Sequence, residues 1–187
     1  MSQDNKQDLV QYYRWLRVYG YNDSHSGNAS IRQEEGFCVT PTGACADTLS
    51  EAELKCGSLS EPPPEGASLD AELHRQVYLN NPSAGAVLHS HAPHLVALTM
   101  SGKDFVPQDF EGQYYFGVIR VVDLPYDVIV QEAPGAVSEM LKELPLVVVR
   151  GHGVYAQGKD LNQAYKWICS AELSARTAWI AAQYPSG

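Results

Sequence analysis

Two apolar runs, AGAVL at residues 84–88 and LPLVVV at residues 144–149, each break off at a histidine-bearing stretch, HSH and RGHG. Runs this short and rich in valine are buried strands rather than core helices. Between and around them the pattern changes to helical spacing. Residues 4–19 place Leu9, Tyr12, Tyr13, Leu16 and Tyr19 three and four apart, predicting an amphipathic helix ended by Gly20. ASIR and GFCVT, punctuated by Gly and Asn between residues 26 and 40, read as short strands and tight turns. EPPPEG at 61–66 is an exposed loop before a helix from about Leu69 to Leu79, and Pro93 opens a further helix, HLVALTM. VIRVVDLPY is a strand, APGAVSEMLKEL a helix, LPLVVVRGHGVYA one strongly apolar strand, and LNQAYKWICSAELSARTAWIAAQ a long last helix. Helices interleaved with strands imply an α/β protein with helices packed on the faces of a sheet.

With 187 residues, 44% of them hydrophobic, the chain suits a single domain spanning 1–187. Its 22 acidic against 13 basic side chains give a formal charge of -9, which argues against nucleic acid and anionic membranes as partners. A small molecule or a protein partner is expected instead. Cys38, Cys45, Cys56 and Cys169 form no CxxC pair and read as reduced thiols. No run approaches the roughly 20 apolar residues of a membrane span, and the N-terminal stretch has no signal-like run, so a cytoplasmic location is expected.

His89 and His91 stand two apart at a strand end, where their side chains share a face as two ligands of one metal must. An exposed or core-satisfied pair is the plain alternative. His152, in RGHG after another buried strand, supplies a third imidazole, and three protein ligands leave an open position, the catalytic arrangement. His94 lies past the pair and points elsewhere. Such a site polarises a carbonyl or hydroxyl and needs an acid or base beside it. Asp70 and Glu72, at the start of a helix, are the upstream acids, with helix capping and solvation as their ordinary roles. SGNAS (26–30) and TPTG (40–43) are turns of the kind that present amides and hydroxyls to an anion, individually weak signals.

Taken in order, GNAS, TPTG, an acid followed four positions later by His, HxH, and GHG resemble the class II aldolase/adducin family, which contains fuculose-phosphate aldolase and ribulose-phosphate 4-epimerase. The resemblance runs from about Tyr12 to Ala182. It implies a three-layer fold with a central, mainly antiparallel sheet flanked by helices. It also implies a divalent ion, zinc first and manganese, cobalt or iron(II) as alternatives, on His89, His91 and His152. Phosphate-binding groups would fall on Asn28, Thr42, Gly43 and Ser68, and the acid/base on Asp70, where the aldolases carry glutamate and the epimerases aspartate. A second acid/base, often given across a subunit interface, would fall among Glu111, Tyr114 and Tyr115 in DFEGQYYFG. The family's assembly implies a homotetramer with sites at subunit boundaries.

Two departures stand out. Leu69 replaces the second serine before the acid, which favours a different or unphosphorylated substrate, and the chain ends at Gly187, soon after the last helix. The implied activity is a metal-dependent aldehyde-lyase of carbohydrate metabolism, cleaving a ketose or ketose-phosphate C–C bond through a metal-stabilised enediolate. Alternatives of the same chemistry are a sugar-phosphate 4-epimerase, a β-keto sugar-acid decarboxylase and a methylthioribulose-phosphate dehydratase, the last resembled by RGHG followed by an aromatic residue. An adducin-like binding module without chemistry is the alternative of another class.

Overall fold

The computed structural model describes residues 5–184; the first residue of the expected opening helix, Asp4, and the chain end at Gly187 fall outside them. Helix α1 runs Lys6–Val18, its first turn closed by a reciprocal capping box between Asn5 and Asp8. Strands β1 (Asn28–Gln33), β2 (Gly36–Val39) and β3 (Lys55–Ser58) follow. Helix α2 (Ala71–Asn80) leads into β4 (Ala86–Ser90) and the short α3 (Pro93–Leu98). After α4 (Phe110–Tyr115) and β5 (Arg120–Val122) come α5 (Ile129–Met140), β6 (Leu146–Val149), β7 (Gly153–Gly158) and the long α6 (Leu161–Ala182).

The strands form one sheet in the order β3-β2-β1-β4-β7-β6-β5, antiparallel except for the parallel pair β5–β6. Alternation along each strand feeds two cores. Ala86, Leu88, Leu146, Val148, Val154 and Ala156 pack on the face covered by α1 and α6. Val87, Val147, Val149 and Tyr155 pack on the face covered by α2 and α5. Because both faces are covered, the central strands read as continuous apolar runs. The expected three-layer, mainly antiparallel architecture is therefore present.

Three readings need correction. LPLVVVRGHGVYA is not one strand but the hairpin β6–β7, with Val149 paired to Gly153 around Arg150–His152. Gly151, at φ +64, supplies the left-handed residue that turns the chain, a signal that the surrounding valines mask. The helix read from Ala133 starts earlier, at Ile129, and carries Pro134 inside it; the single helical turn Tyr126–Val128 feeds directly into it, so the proline does not mark its start. Finally, Cys38 and Cys56 are directly opposed in the β2–β3 register, with Cα atoms 4.1 Å apart, and are joined as a disulfide, leaving Cys45 and Cys169 as thiols. Sequence spacing cannot show a pairing made by strand register, and the cysteines no longer argue for a reducing compartment.

Candidate active site and metal centre

The sheet itself lines up the first components. Asn28 on β1, His89 on β4 and Tyr155 on β7 are register neighbours, so the three side chains stand side by side on the α2 face. The Nδ1 of His89 donates to the Val154 carbonyl at 3.0 Å, which leaves Nε2 with its lone pair toward the cleft. His91, just beyond β4, brings its Nε2 to 3.2 Å from that atom. The β6–β7 turn delivers His152, and one ligand nitrogen from each of the three imidazoles lies within 4.8 Å of the others. A Cβ on Gly153 would meet His89 Cε1 at 2.6 Å and His91 Cδ2 at 2.9 Å, so only glycine lets the turn approach.

Burial pushes the His89 imidazole down to about 3, with His152 and His91 adding to the effect and Asp70 opposing it. Burial and then His152 also lower His91. Three imidazoles crowded together, with the His152 Nδ1 buried and unpartnered, fit one divalent cation held by His89, His91 and His152.

Asp70 completes the group. It precedes α2, yet its side chain makes no capping bond. Instead its Oδ2 accepts from Asn28 Nδ2 at 2.8 Å and from the Tyr155 hydroxyl at 3.0 Å, and lies 3.8 Å from His89 Nε2. Burial alone would raise this carboxyl; the His89 imidazole, the Asn28 amide and the more distant His74 and His152 outweigh it and hold it below the usual carboxylate range. Tyr155, pushed well above its ordinary value by burial and by Asp70, remains a protonated donor. Glu72 has no part in this: it is paired with Arg75 at 2.8 and 2.9 Å and with Gln76.

These groups sit in a cleft of about 1060 Å³ whose walls also include Thr42, Gly43 and Ser68. The amides of Thr42 and Ala44 are occupied by the Gly66 and Pro41 carbonyls, so the TPTG turn offers the Gly43 N–H and the Thr42 hydroxyl to a ligand. Leu69, 80% exposed, stands in the same wall beside Ser68.

The sequence matches the family described as Class II Aldolase and Adducin N-terminal domain over residues 7–179. The chain belongs to the class II aldolase and adducin family. Its fold superposes on an l-fuculose-1-phosphate aldolase from Thermus thermophilus with a TM-score of 0.89 and 30% identity, covering 97% of this chain and 98% of that one. It is 36% identical over 138 residues to a 3-oxo-tetronate 4-phosphate decarboxylase of Cupriavidus necator, 67% of this chain and 61% of that protein. It is 29% identical over 168 residues to a methylthioribulose-1-phosphate dehydratase of a Bradyrhizobium species, 80% of this chain and 78% of that protein.

Other residues expected at the family's site lie elsewhere in the chain. Glu111, Tyr114 and Tyr115 are on α4, which packs against α6, and none of them lines the cleft. Tyr114 is 76% exposed, while Tyr115 lies beneath the Lys166 ammonium, 3.9 Å from its ring centroid, and against Trp167. His94 turns away, its Nδ1 2.6 Å from the buried Glu172, whose carboxylate also accepts the His94 and Leu95 amides and so caps α3. Sequence reasoning missed Tyr155, and also Arg150, a cleft residue bound to both oxygens of Asp123 at 3.0 and 3.2 Å. Arg150 was within reach, two residues before His152 in RGHG; Asp123 and Asp127, in DLPYD, carry no motif.

Proposed function

We propose that the protein is a single-domain, divalent-metal-dependent lyase that cleaves a ketose or ketose-phosphate C–C bond by retro-aldol chemistry. The observation that carries this reading is the Asp70 carboxyl, held by Asn28 and Tyr155 with its Oδ2 3.8 Å from His89 Nε2 in a cluster of three imidazoles. When bound, a divalent ion, zinc foremost, supplies Lewis-acid polarisation of the substrate carbonyl and neutralises developing negative charge. Asn28, Ser68, the Thr42 hydroxyl and the Gly43 amide hold the anionic or hydroxylated end of the substrate. Asp70 takes up a proton from solvent and delivers it to the enediolate carbon next to the carbonyl, the atom that parts from the aldehyde. The hydroxyl proton of the departing aldehyde goes to the Glu111 carboxylate of an adjacent subunit, or passes to solvent by relay through the hydroxyl of its Tyr114 or Tyr115, in a homotetramer whose clefts lie at subunit boundaries.

A second reading, decarboxylation of a β-keto sugar acid, uses the same electron sink and is favoured by the 36% identity to the Cupriavidus necator decarboxylase. Incubation with fuculose 1-phosphate, 3-oxo-tetronate 4-phosphate, methylthioribulose 1-phosphate and the corresponding free sugars separates the readings by product. Released aldehyde supports the lyase, CO₂ the decarboxylase, and a water-loss product or an epimer the remaining family chemistries. An active, metal-free His89→Ala variant would overturn all of them, and an active Asp70→Asn variant would remove Asp70 as the proton carrier.

A further inference from the structure

The bonds around Asp70 are divided unevenly between its two oxygens. Both donors that reach the carboxylate, Asn28 Nδ2 and the Tyr155 hydroxyl, act on Oδ2. Oδ1 accepts from none of the described residues, and it is not among the buried unpartnered atoms, so it opens to the cleft. Tyr155 is itself fully buried and out of substrate's reach. Its ring lies flat on the imidazole of His89, centroids 4.1 Å apart and planes 11° apart. The carbonyl of the preceding residue, Val154, accepts the hydrogen bond from His89 Nδ1. Two adjacent residues of β7 thus hold His89 by its edge and by its face, and one of them also holds the base.

We infer that Tyr155 is a positioning residue: its ring fixes the plane of His89 and its hydroxyl pins Oδ2 of Asp70, leaving Oδ1 alone to exchange a proton with substrate. The inference rests on Asp70 being the proton carrier. It assigns the two halves of one side chain to two tasks, and substitution can separate them. Tyr155→Phe keeps the stacked ring and loses only the hydroxyl, whereas Tyr155→Leu loses both.

The test uses the metal-loaded oligomer and whichever of the three phosphorylated substrates above it turns over. For Tyr155→Phe, kcat falls roughly 10- to 100-fold, as for other groups that orient a metal site's ligands, while KM stays within about threefold and bound metal per subunit is unchanged. Tyr155→Leu loses bound metal as well. Tyr78→Phe removes another buried hydroxyl beneath α2, one bonded to Ser30 at 2.7 Å and not to Asp70, and leaves kcat within about threefold. Wild-type kcat in Tyr155→Phe, or equal losses in Tyr155→Phe and Tyr78→Phe, would overturn the inference. An unfolded or metal-free Tyr155→Phe protein would overturn it equally, by assigning the hydroxyl to stability. Asp70→Asn distinguishes the levels: if it stays active the proposed chemistry itself fails, whereas an inactive Asp70→Asn beside an unaffected Tyr155→Phe removes only the role of Tyr155.

Discussion

At the scale of single residues, a polar stripe runs from Asn28 and Asp70 at the cleft away into an otherwise apolar contact between β1 and α2, where its remaining members do not line the cleft. Asn28, Ser30 and Arg32 alternate along one face of β1, and Asp70, His74 and Tyr78 recur every fourth position from the residue before α2 into that helix. They meet in order: Asn28 with Asp70, Ser30 with both His74 and Tyr78 at 2.7 Å, and the Arg32 guanidinium over the Tyr78 ring. His74 is fully buried, and that burial pushes its imidazole down to about 4, with Asp70 opposing. Its folded value lies below the unfolded one near 6.5, so the unfolded chain binds the extra proton. The stabilisation is complete above about pH 6.5 and is lost as pH falls toward 4. Denaturant titrations at pH 7 and pH 5 should therefore show that His74→Gln loses about 2 kcal/mol less over this interval than the wild type. Equal losses would show that His74 is not held neutral. Of this stripe the sequence reveals Asp70 and His74 only as a spacing, because an Asp before a helix looks like a cap until the partner strand is in place. Tyr155 gives less still: in GHGVYAQG it is one more β-forming residue, and its role appears only when register sets it beside His89.

At the scale of elements, the order of helices and strands was readable because each piece carries its own period, and the sheet face of His89 follows from that of Val87. The hairpin was not, since LVVV and GVYA are equally strand-like and the turn between them is only Arg150, Gly151 and His152. That turn places the third imidazole, and it does so at very short range. Replacing Gly153 by alanine sets a Cβ 2.6 Å from both His89 Cε1 and the backbone oxygen of Ser90, and a backbone atom cannot swing aside. The variant should fold with a loss of about 1–3 kcal/mol, as other overpacked sites do. Its metal affinity should drop roughly 10- to 100-fold, read by chelator competition. Unchanged metal affinity would mean that the hairpin does not set the geometry of the three ligands. On the far edge of the sheet the Cys38–Cys56 bond closes 18 residues of chain and touches nothing in the cleft. Reduction should cost about 3 kcal/mol of stability by loop entropy while activity persists at 25 °C. Activity lost in step with reduction would place that edge in the working site.

At the scale of the whole molecule, the residues proposed as metal ligands, base and anion-binding turn all come from one chain, and the proposed second proton carriers on α4 do not line its cleft. Among the cleft's other polar groups Arg150 and Asp123 satisfy each other, while Asp127, Tyr126 and His25 also line it. Meanwhile α4 presents Phe110 and Tyr114 to solvent at 77% and 76% exposure, next to Glu111, an expensive surface for an isolated subunit. That surface is accounted for if α4 of one subunit completes the cleft of the next. A mixing experiment decides it. His89→Ala subunits keep a normal α4 but have no metal site; Glu111→Ala subunits keep the metal site but lack the carboxylate on α4. Each protein alone should be inactive if Glu111 is the second proton carrier. Dissociated and reassembled one to one, random pairing across a cyclic interface should restore about a quarter of wild-type activity, because each cleft needs an intact triad from one chain and an intact α4 from its neighbour. Active Glu111→Ala homo-oligomers would shift the role to Tyr114 or Tyr115, for which the same mixing applies. No restoration with any of the three would mean that each chain works alone, the second proton being handled within its own cleft by Asp70 or by a lining residue such as Asp127.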